Sequence, residues 1–182
     1  MSNANGLSVG ATAPDFSATL VRPEGDSPEV ALSTLLDDGP VLLAFYTNDF
    51  SPDCIDEWCS FRDFDWFDTN EAVQVVGISK SKPYLHERFI SYLDLTFPLY
   101  SDPDLDVAEL YDVTYRTLKM FPRARRSCFL IDRERTIRYR WLAEHWLDPT
   151  RDTPPVGEIN EAIVEQFGGG AGGDHGPPSA ES

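Results

Sequence analysis

Two apolar runs do most to limit the folds open to this chain. VLLAFYT (41–47) follows the turn-forming DDGP, and VQVVGIS (73–79) lies about thirty residues further on. Each is too short for a core helix and carries no charge, so each reads as a strand buried on both faces. Between them stands Ser51-Pro52. A hydroxyl residue followed by proline suits the N-cap and first position of a helix. The helix expected there runs through DCIDEWCSFRDFDWF. Strand, helix and strand in that order describe a parallel crossover.

The remaining segments extend the pattern. PDFSATL is a short strand-like stretch near the start. KPYLHERFISYLD carries Leu85, Phe89, Tyr92 and Leu93 at helical spacing. LTFPLYSDPD leads into a short helix, LDVAELYDV. SCFLID (127–132) and TIRYRWL (136–142) form a hairpin across RERT, and VGEINEAIVEQF is a closing amphipathic helix. The expected class is α/β, with a central mixed β-sheet flanked by helices. At 182 residues the chain reads as one domain over residues 1–167. Residues 168–182, rich in Gly, Pro and Ser, read as a disordered tail.

Composition excludes several functions. The chain has 31 Asp+Glu against 15 Lys+Arg, a net charge of −16, and only three lysines. Such a field repels phosphate backbones and anionic bilayers, so neither nucleic acid nor membrane is an expected partner. Acid excess together with lysine scarcity fits a proteome adapted to high salt. The N-terminal stretch lacks the basic and apolar regions of a signal peptide. A cytoplasmic location follows as the expectation, and in a reducing compartment three cysteines seldom form a structural disulfide framework.

The chemistry centres on Cys54 and Cys59. With Ser51 as N-cap, Cys54 falls in the first helical turn, near unpaired N–H groups and the positive end of the helix dipole. Both lower a thiol's pKa. Asp49, Asp53 and Asp56 act in the opposite direction, so a nearby cation is expected, and Arg126 at the mouth of the SCFLID strand can supply it. Glu57, one turn beyond Cys54, is either a solvated helix charge or a group that orients an arginine. Cys59 is expected to face inward among Trp58 and Phe61. In a regular helix, residues five apart have Cα atoms roughly 8.7 Å apart, beyond the ~7 Å limit for a disulfide. If Cys54 and Cys59 pair, the first turns must unwind. Cys128, inside an apolar strand, reads as core. His86, His145 and His175 read as surface or packing residues. No second cysteine pair stands at zinc-ligand spacing.

These segments together resemble the peroxiredoxins of the AhpC/TSA group, over about Val9 to Val164. The family's Pro-x-x-x-Thr-x-x-Cys frame reads Thr47-Asn48-Asp49-Phe50-Ser51-Pro52-Asp53-Cys54 here: the cysteine matches, Ser51 keeps the hydroxyl, and Thr47 replaces the proline that shields the sulfur. CIDEWCSFRD resembles the family's Cys-x-x-Glu-Leu-Cys-x-Phe-Arg-Asp, with Glu57 in place. FPLYSDPDLDVAELYDV and RRSCFLID resemble two further segments, the second placing the family's active-site arginine on Arg126. A second cysteine five residues after the first is the pattern of the bacterioferritin-comigratory-protein (PrxQ) subfamily.

The resemblance implies a thioredoxin-like fold and a thiol peroxidase. Cys54 would attack peroxide and become a sulfenic acid, with Ser51 and Arg126 holding the oxygens. Cys59 would resolve it as a disulfide, and a thioredoxin-like dithiol would reduce that. No metal, haem or flavin is implied, and a monomer or homodimer is expected. Two other readings stay open at this stage. One is a thiol–disulfide oxidoreductase, against which the four-residue gap between the cysteines argues. The other is a non-catalytic redox sensor, to which Thr47 and the acidic surroundings of Cys54 point.

Overall fold

The computed structural model describes residues 6–63, 73–116, 121–144 and 152–168. In chain order the strands are β1 (Ser17–Val21), β2 (Glu29–Ala31), β3 (Val41–Phe45), β4 (Gln74–Ser79), β5 (Leu99–Ser101), β6 (Thr114–Tyr115), β7 (Arg123–Ala124), β8 (Ser127–Ile131) and β9 (Ile137–Leu142). The helices are α1 (Leu32–Asp38), α2 (Pro52–Asp63), α3 (Pro83–Leu93), α4 (Asp106–Leu110) and α5 (Val156–Phe167). Seven strands make one mixed sheet in the order β2-β1-β5-β4-β3-β8-β9, and β6 pairs with β7 alone.

The two apolar runs form the adjacent strands β3 and β4, paired in parallel, and β4 continues in parallel to β5. Helices α2 and α3 are the crossovers that make parallel pairing possible. The hairpin β8–β9 is antiparallel, and β8 lies antiparallel on the other side of β3. The expected mixed sheet is therefore present. Five elements had no clear sequence signal: β2, α1, β5, β6 and β7. Four of them have only two or three residues, too few for a period to register, and one of these, β5, is held by β1 on one side and β4 on the other.

Side-chain alternation along the central strands sorts two cores. Val41, Leu43, Phe45, Phe129 and Ile131 face the layer with α1 and α4. Leu42, Ala44, Tyr46, Cys128 and Leu130 face the layer with α2, α3 and α5. The period of two places Arg126, just ahead of β8, on the same side as Cys128, and so under α2. Gly77 in β4 lets α2 come close: a β carbon there would lie 2.5 Å from the Trp58 ring.

The buried face of α3 differs from the expected one. His86, Phe89, Ile90 and Leu93 are buried, whereas Tyr92 is exposed. The stripe is i, i+3, i+4, i+7, with a histidine in its first position. Residues 64–67 of the expected α2 extension, His145, His175 and residues 169–182 of the expected tail lie outside the described residues.

Candidate active site

The chain leaves β3, turns at residues 46–50, and enters α2 at Pro52. Ser51 caps the helix as its residue type suggests. Its Oγ accepts the Cys54 backbone N–H at 3.3 Å, and its carbonyl accepts from Ile55 at 3.0 Å. Phe50, immediately before the cap, has φ of +62°. A bulky residue in that left-handed region is strained. Cys54 in the first turn of α2 is fully buried.

Arg126 meets it from the sheet. One guanidinium nitrogen, Nη2, donates to the Cys54 sulfur at 3.1 Å, and Nη1 donates to the Asp53 carbonyl at 3.3 Å. Nη1 also lies 3.0 Å from Glu57 Oε2, and both of these side chains are buried. Glu57 is thus the arginine's partner and not a solvated helix charge. One cation serves two buried acids on the same helix, Cys54 and Glu57.

That arrangement reverses the expected direction of the thiol's titration. Burial pushes the Cys54 thiol up, and the Glu57 carboxylate pushes it further. Arg126, the Ser51 hydroxyl and the Asn48 backbone pull it down without overcoming those two. Glu57 is itself raised to about 8 by burial, against the pull of Arg126. Asp53 and Asp56, the expected source of repulsion, point to solvent.

Asp49 is occupied elsewhere. Its Oδ1 accepts from the Tyr46 hydroxyl at 2.5 Å, and its Oδ2 lies 2.7 Å from His86 Nδ1. His86 Nε2 reaches the Tyr100 carbonyl in β5 at 3.0 Å. His86 is therefore neither a surface residue nor simple packing, but the hub of a buried polar network. The signal that could have found it is its place on the apolar stripe of α3. A histidine there is buried, and a buried imidazole needs partners for both nitrogens.

The other site residues are near at hand. Thr47 is buried, and its Oγ1 has no hydrogen-bond partner among the described residues, as is true of Arg126 Nε and Trp58 Nε1. Cys59 is half-buried and packs beside Trp58 and Phe61, so it faces inward only in part. Cys128 is fully buried. Burial and Glu57 hold its thiol well above the ordinary value, so it stays protonated and inert, as its core position suggested. The structure thus brings Ser51, Cys54, Glu57 and Arg126 together, with Thr47 buried in the turn ahead of α2 and Cys59 just over one turn along the helix. No helix among the described residues is long and apolar enough to cross a membrane.

The model of the AhpC/TSA family matches residues 9–140. The chain belongs to this family. A putative peroxiredoxin bcp from Coxiella burnetii is 38% identical over 74% of this chain and 88% of its own length. Peroxiredoxin Bcp from Bacillus subtilis is 31% identical over 74% of this chain and 85% of its own. The crystal structure of peroxidoxin BcpB from Mycobacterium tuberculosis superposes with a TM-score of 0.71 at 27% identity, covering 87% of this chain and 97% of that one. A PrxQ mutant from Xylella fastidiosa superposes with a TM-score of 0.71 at 22% identity, which bears on the fold alone; it covers 88% of this chain and 97% of that one. Cys54, Glu57 and Arg126, which meet in the structure, all lie within the matched residues.

Proposed function

We propose that this AhpC/TSA chain is a thiol-dependent peroxidase with Cys54 as its nucleophile. The observation that carries the reading is the Arg126 guanidinium 3.1 Å from the Cys54 sulfur in the capped first turn of α2. The thiol loses its proton beside that cation, and the thiolate sulfur attacks one peroxide oxygen. The O–O bond breaks, and the second oxygen leaves with its electron pair and takes up a proton. Sulfur is oxidised to sulfenic acid and keeps the attacked oxygen; the other oxygen leaves as water from hydrogen peroxide, or as an alcohol from an organic hydroperoxide. Arg126, the Ser51 hydroxyl and the first-turn N–H groups oppose the charge on the parting oxygens. The unpartnered Arg126 Nε is a further donor on the same guanidinium. Glu57 orients Arg126.

Cys59 resolves the sulfenic acid: its sulfur attacks the Cys54 sulfur, an S–S bond forms and water leaves. A dithiol reductant of the thioredoxin class then reduces the disulfide. Because α2 is continuous from Pro52 to Asp63, this step requires its first turns to unwind. The substrate is a peroxide, and the charge of −16 speaks against nucleic acid as a partner. The working unit is residues 1–167, acting in the cytoplasm as a monomer or homodimer.

The test uses pre-reduced protein and one equivalent of hydrogen peroxide, with tryptophan fluorescence followed by disulfide mapping. Trp58 lies between the two cysteines and reports the change. Fast oxidation ending in a Cys54–Cys59 link is the expected result. A thiol that reacts slowly and forms no such link overturns the peroxidase. The raised Cys54 thiol then favours the redox-sensor reading.

A further inference from the structure

Cys54 can change partners only if α2 unwinds, so something must stop the unwinding from spreading back into the sheet. The residues just before the helix supply that stop. Asp49 Oδ2 lies 2.7 Å from His86 Nδ1 and Asp49 Oδ1 accepts from Tyr46 at 2.5 Å, while the Asp49 backbone N–H donates to Ser81 Oγ at 2.9 Å. His86 Nε2 ends the chain of bonds on the Tyr100 carbonyl at 3.0 Å. A carbonyl only accepts, so Nε2 carries a hydrogen, and Nδ1 faces both Asp49 Oδ2 and, at 3.4 Å, the Tyr46 hydroxyl. Both side chains of the pair are wholly buried. Ser101 Oγ donates to the Ser81 carbonyl at 2.7 Å, and Ser81 N–H donates to Ser79 Oγ at 3.2 Å. Residue 49 is thereby tied to α3, to the end of β4 and to β5.

The contrast lies one residue on. Phe50 sits at φ +62°, and beyond it Ser51 holds the helix start by a local bond alone. Among the described residues, the hydrogen bonds that reach the first turn from elsewhere in the fold come from Arg126, to Asp53 and Cys54; Phe50 itself meets α3 by ring packing alone, against Phe89 and Tyr92.

We propose that Asp49 and His86 form a fixed anchor that positions Cys54 in the reduced protein and bounds the unwinding of α2 at Phe50. They are positioning residues: neither touches the sulfur. Tyr46 couples the anchor to the site, since its ring packs edge-on against Trp58 at 5.3 Å. The unwinding segment is Phe50 to Cys59, and the anchor keeps Thr47 and the end of β3 in place for refolding after reduction. This inference rests on the peroxidase reading for its functional meaning, but its structural core is testable apart from it.

The experiment compares two substitutions at His86. The Asn side-chain nitrogen stands where Nδ1 stands, and the Gln nitrogen stands where Nε2 stands. His86→Asn keeps the bond to Asp49 and loses that to Tyr100; His86→Gln does the reverse. Each gives up the contacts of one ring nitrogen, Asp49 at 2.7 Å and the Tyr46 hydroxyl at 3.4 Å for Nδ1 or Tyr100 at 3.0 Å for Nε2, so a merely structural histidine gives similar effects in the two. The expected result is that His86→Gln slows sulfenic acid formation with hydrogen peroxide at least tenfold, while His86→Asn stays within about threefold of wild type. Equal rates in the two variants, or the reverse order, overturn the inference.

Amide hydrogen exchange on the wild-type protein provides the second measurement, and it needs no variant to fold. On oxidation to the Cys54–Cys59 disulfide, amides from Ser51 to Cys59 should lose protection while those from Tyr46 to Asp49 keep theirs. Loss of protection running back through Asp49 also overturns the inference. If wild-type Cys54 fails to react with peroxide, the peroxidase reading falls. The reduced His86 variants still test the anchor, with faster exchange at residues 47–54 expected in His86→Gln only.

Discussion

Arg126 holds the Cys54 sulfur at 3.1 Å with one guanidinium nitrogen and lies 3.0 Å from Glu57 with another. A fork of fixed geometry can do this where a lysine, a single point of charge, cannot. The site therefore carries two acids against one permanent cation, and the division of that cation between them sets how readily the sulfur ionises.

Arg126→Lys tests the fork. It keeps the charge and loses the paired geometry. The rate of Cys54 oxidation by hydrogen peroxide should fall by about 10²- to 10³-fold, the usual cost of one preorganised donor at a developing oxyanion. Stopped-flow fluorescence of the pre-reduced protein measures it. A loss below about threefold would remove Arg126 from the reaction.

Glu57→Gln has two expected consequences. The carboxylate that pushes the Cys54 thiol up is gone, so the thiol should titrate at lower pH than in wild type, read from thiolate absorbance against pH. Stability also changes its pH dependence. The Glu57 carboxyl is raised from 4.5 to about 8 in the folded protein, so between those values the folded state holds a proton that the unfolded state has lost. Wild-type stability attributable to this group is full below about pH 4.5 and is lost as pH rises through about 8. Urea unfolding across that window should show a decline that Glu57→Gln flattens. An unchanged decline would assign it to other groups.

The cysteine variants separate attack from resolution. Cys54→Ser should abolish peroxide reduction. Cys59→Ser should complete one turnover and stop at the sulfenic acid, trapped and weighed by mass spectrometry. Equal and mild losses in the two would contradict the roles assigned.

Gly77→Ala probes the seat of α2. The added methyl would lie 2.5 Å from the Trp58 ring and 2.6 Å from Leu99. Overpacking of this kind costs about 1–3 kcal/mol, measured as a lower urea midpoint with unchanged slope. Since Trp58 lies between Cys54 and Cys59, the same change should loosen α2 and speed disulfide formation relative to sulfenic acid formation.

The local chemistry of the site was legible in the chain itself. Ser51 and Pro52 start a helix because of a hydroxyl and a ring, and that start puts Cys54 in the first turn whatever surrounds it. The apolar runs at 41–47 and 73–79 specify neighbouring buried strands because only a two-sided sheet hides uninterrupted apolar residues. The closing helix at 156–167 follows from its period in the same way.

What only the tertiary structure decided are the matters that depend on distance across the fold. Glu57 reads equally as surface or site until β8 brings Arg126 beneath α2. The thiol's direction of titration depends on how much water is excluded, which no spacing along the chain reports, and burial there outweighs both the helix start and the cation. His86 looked unremarkable because its partners Asp49 and Tyr100 lie 37 and 14 residues away and meet only when α3 packs on the sheet. Sequence determines local geometry because backbone bonding is short-range. The energetics of a buried charge belong to the assembled core, because every neighbour that displaces water contributes to them.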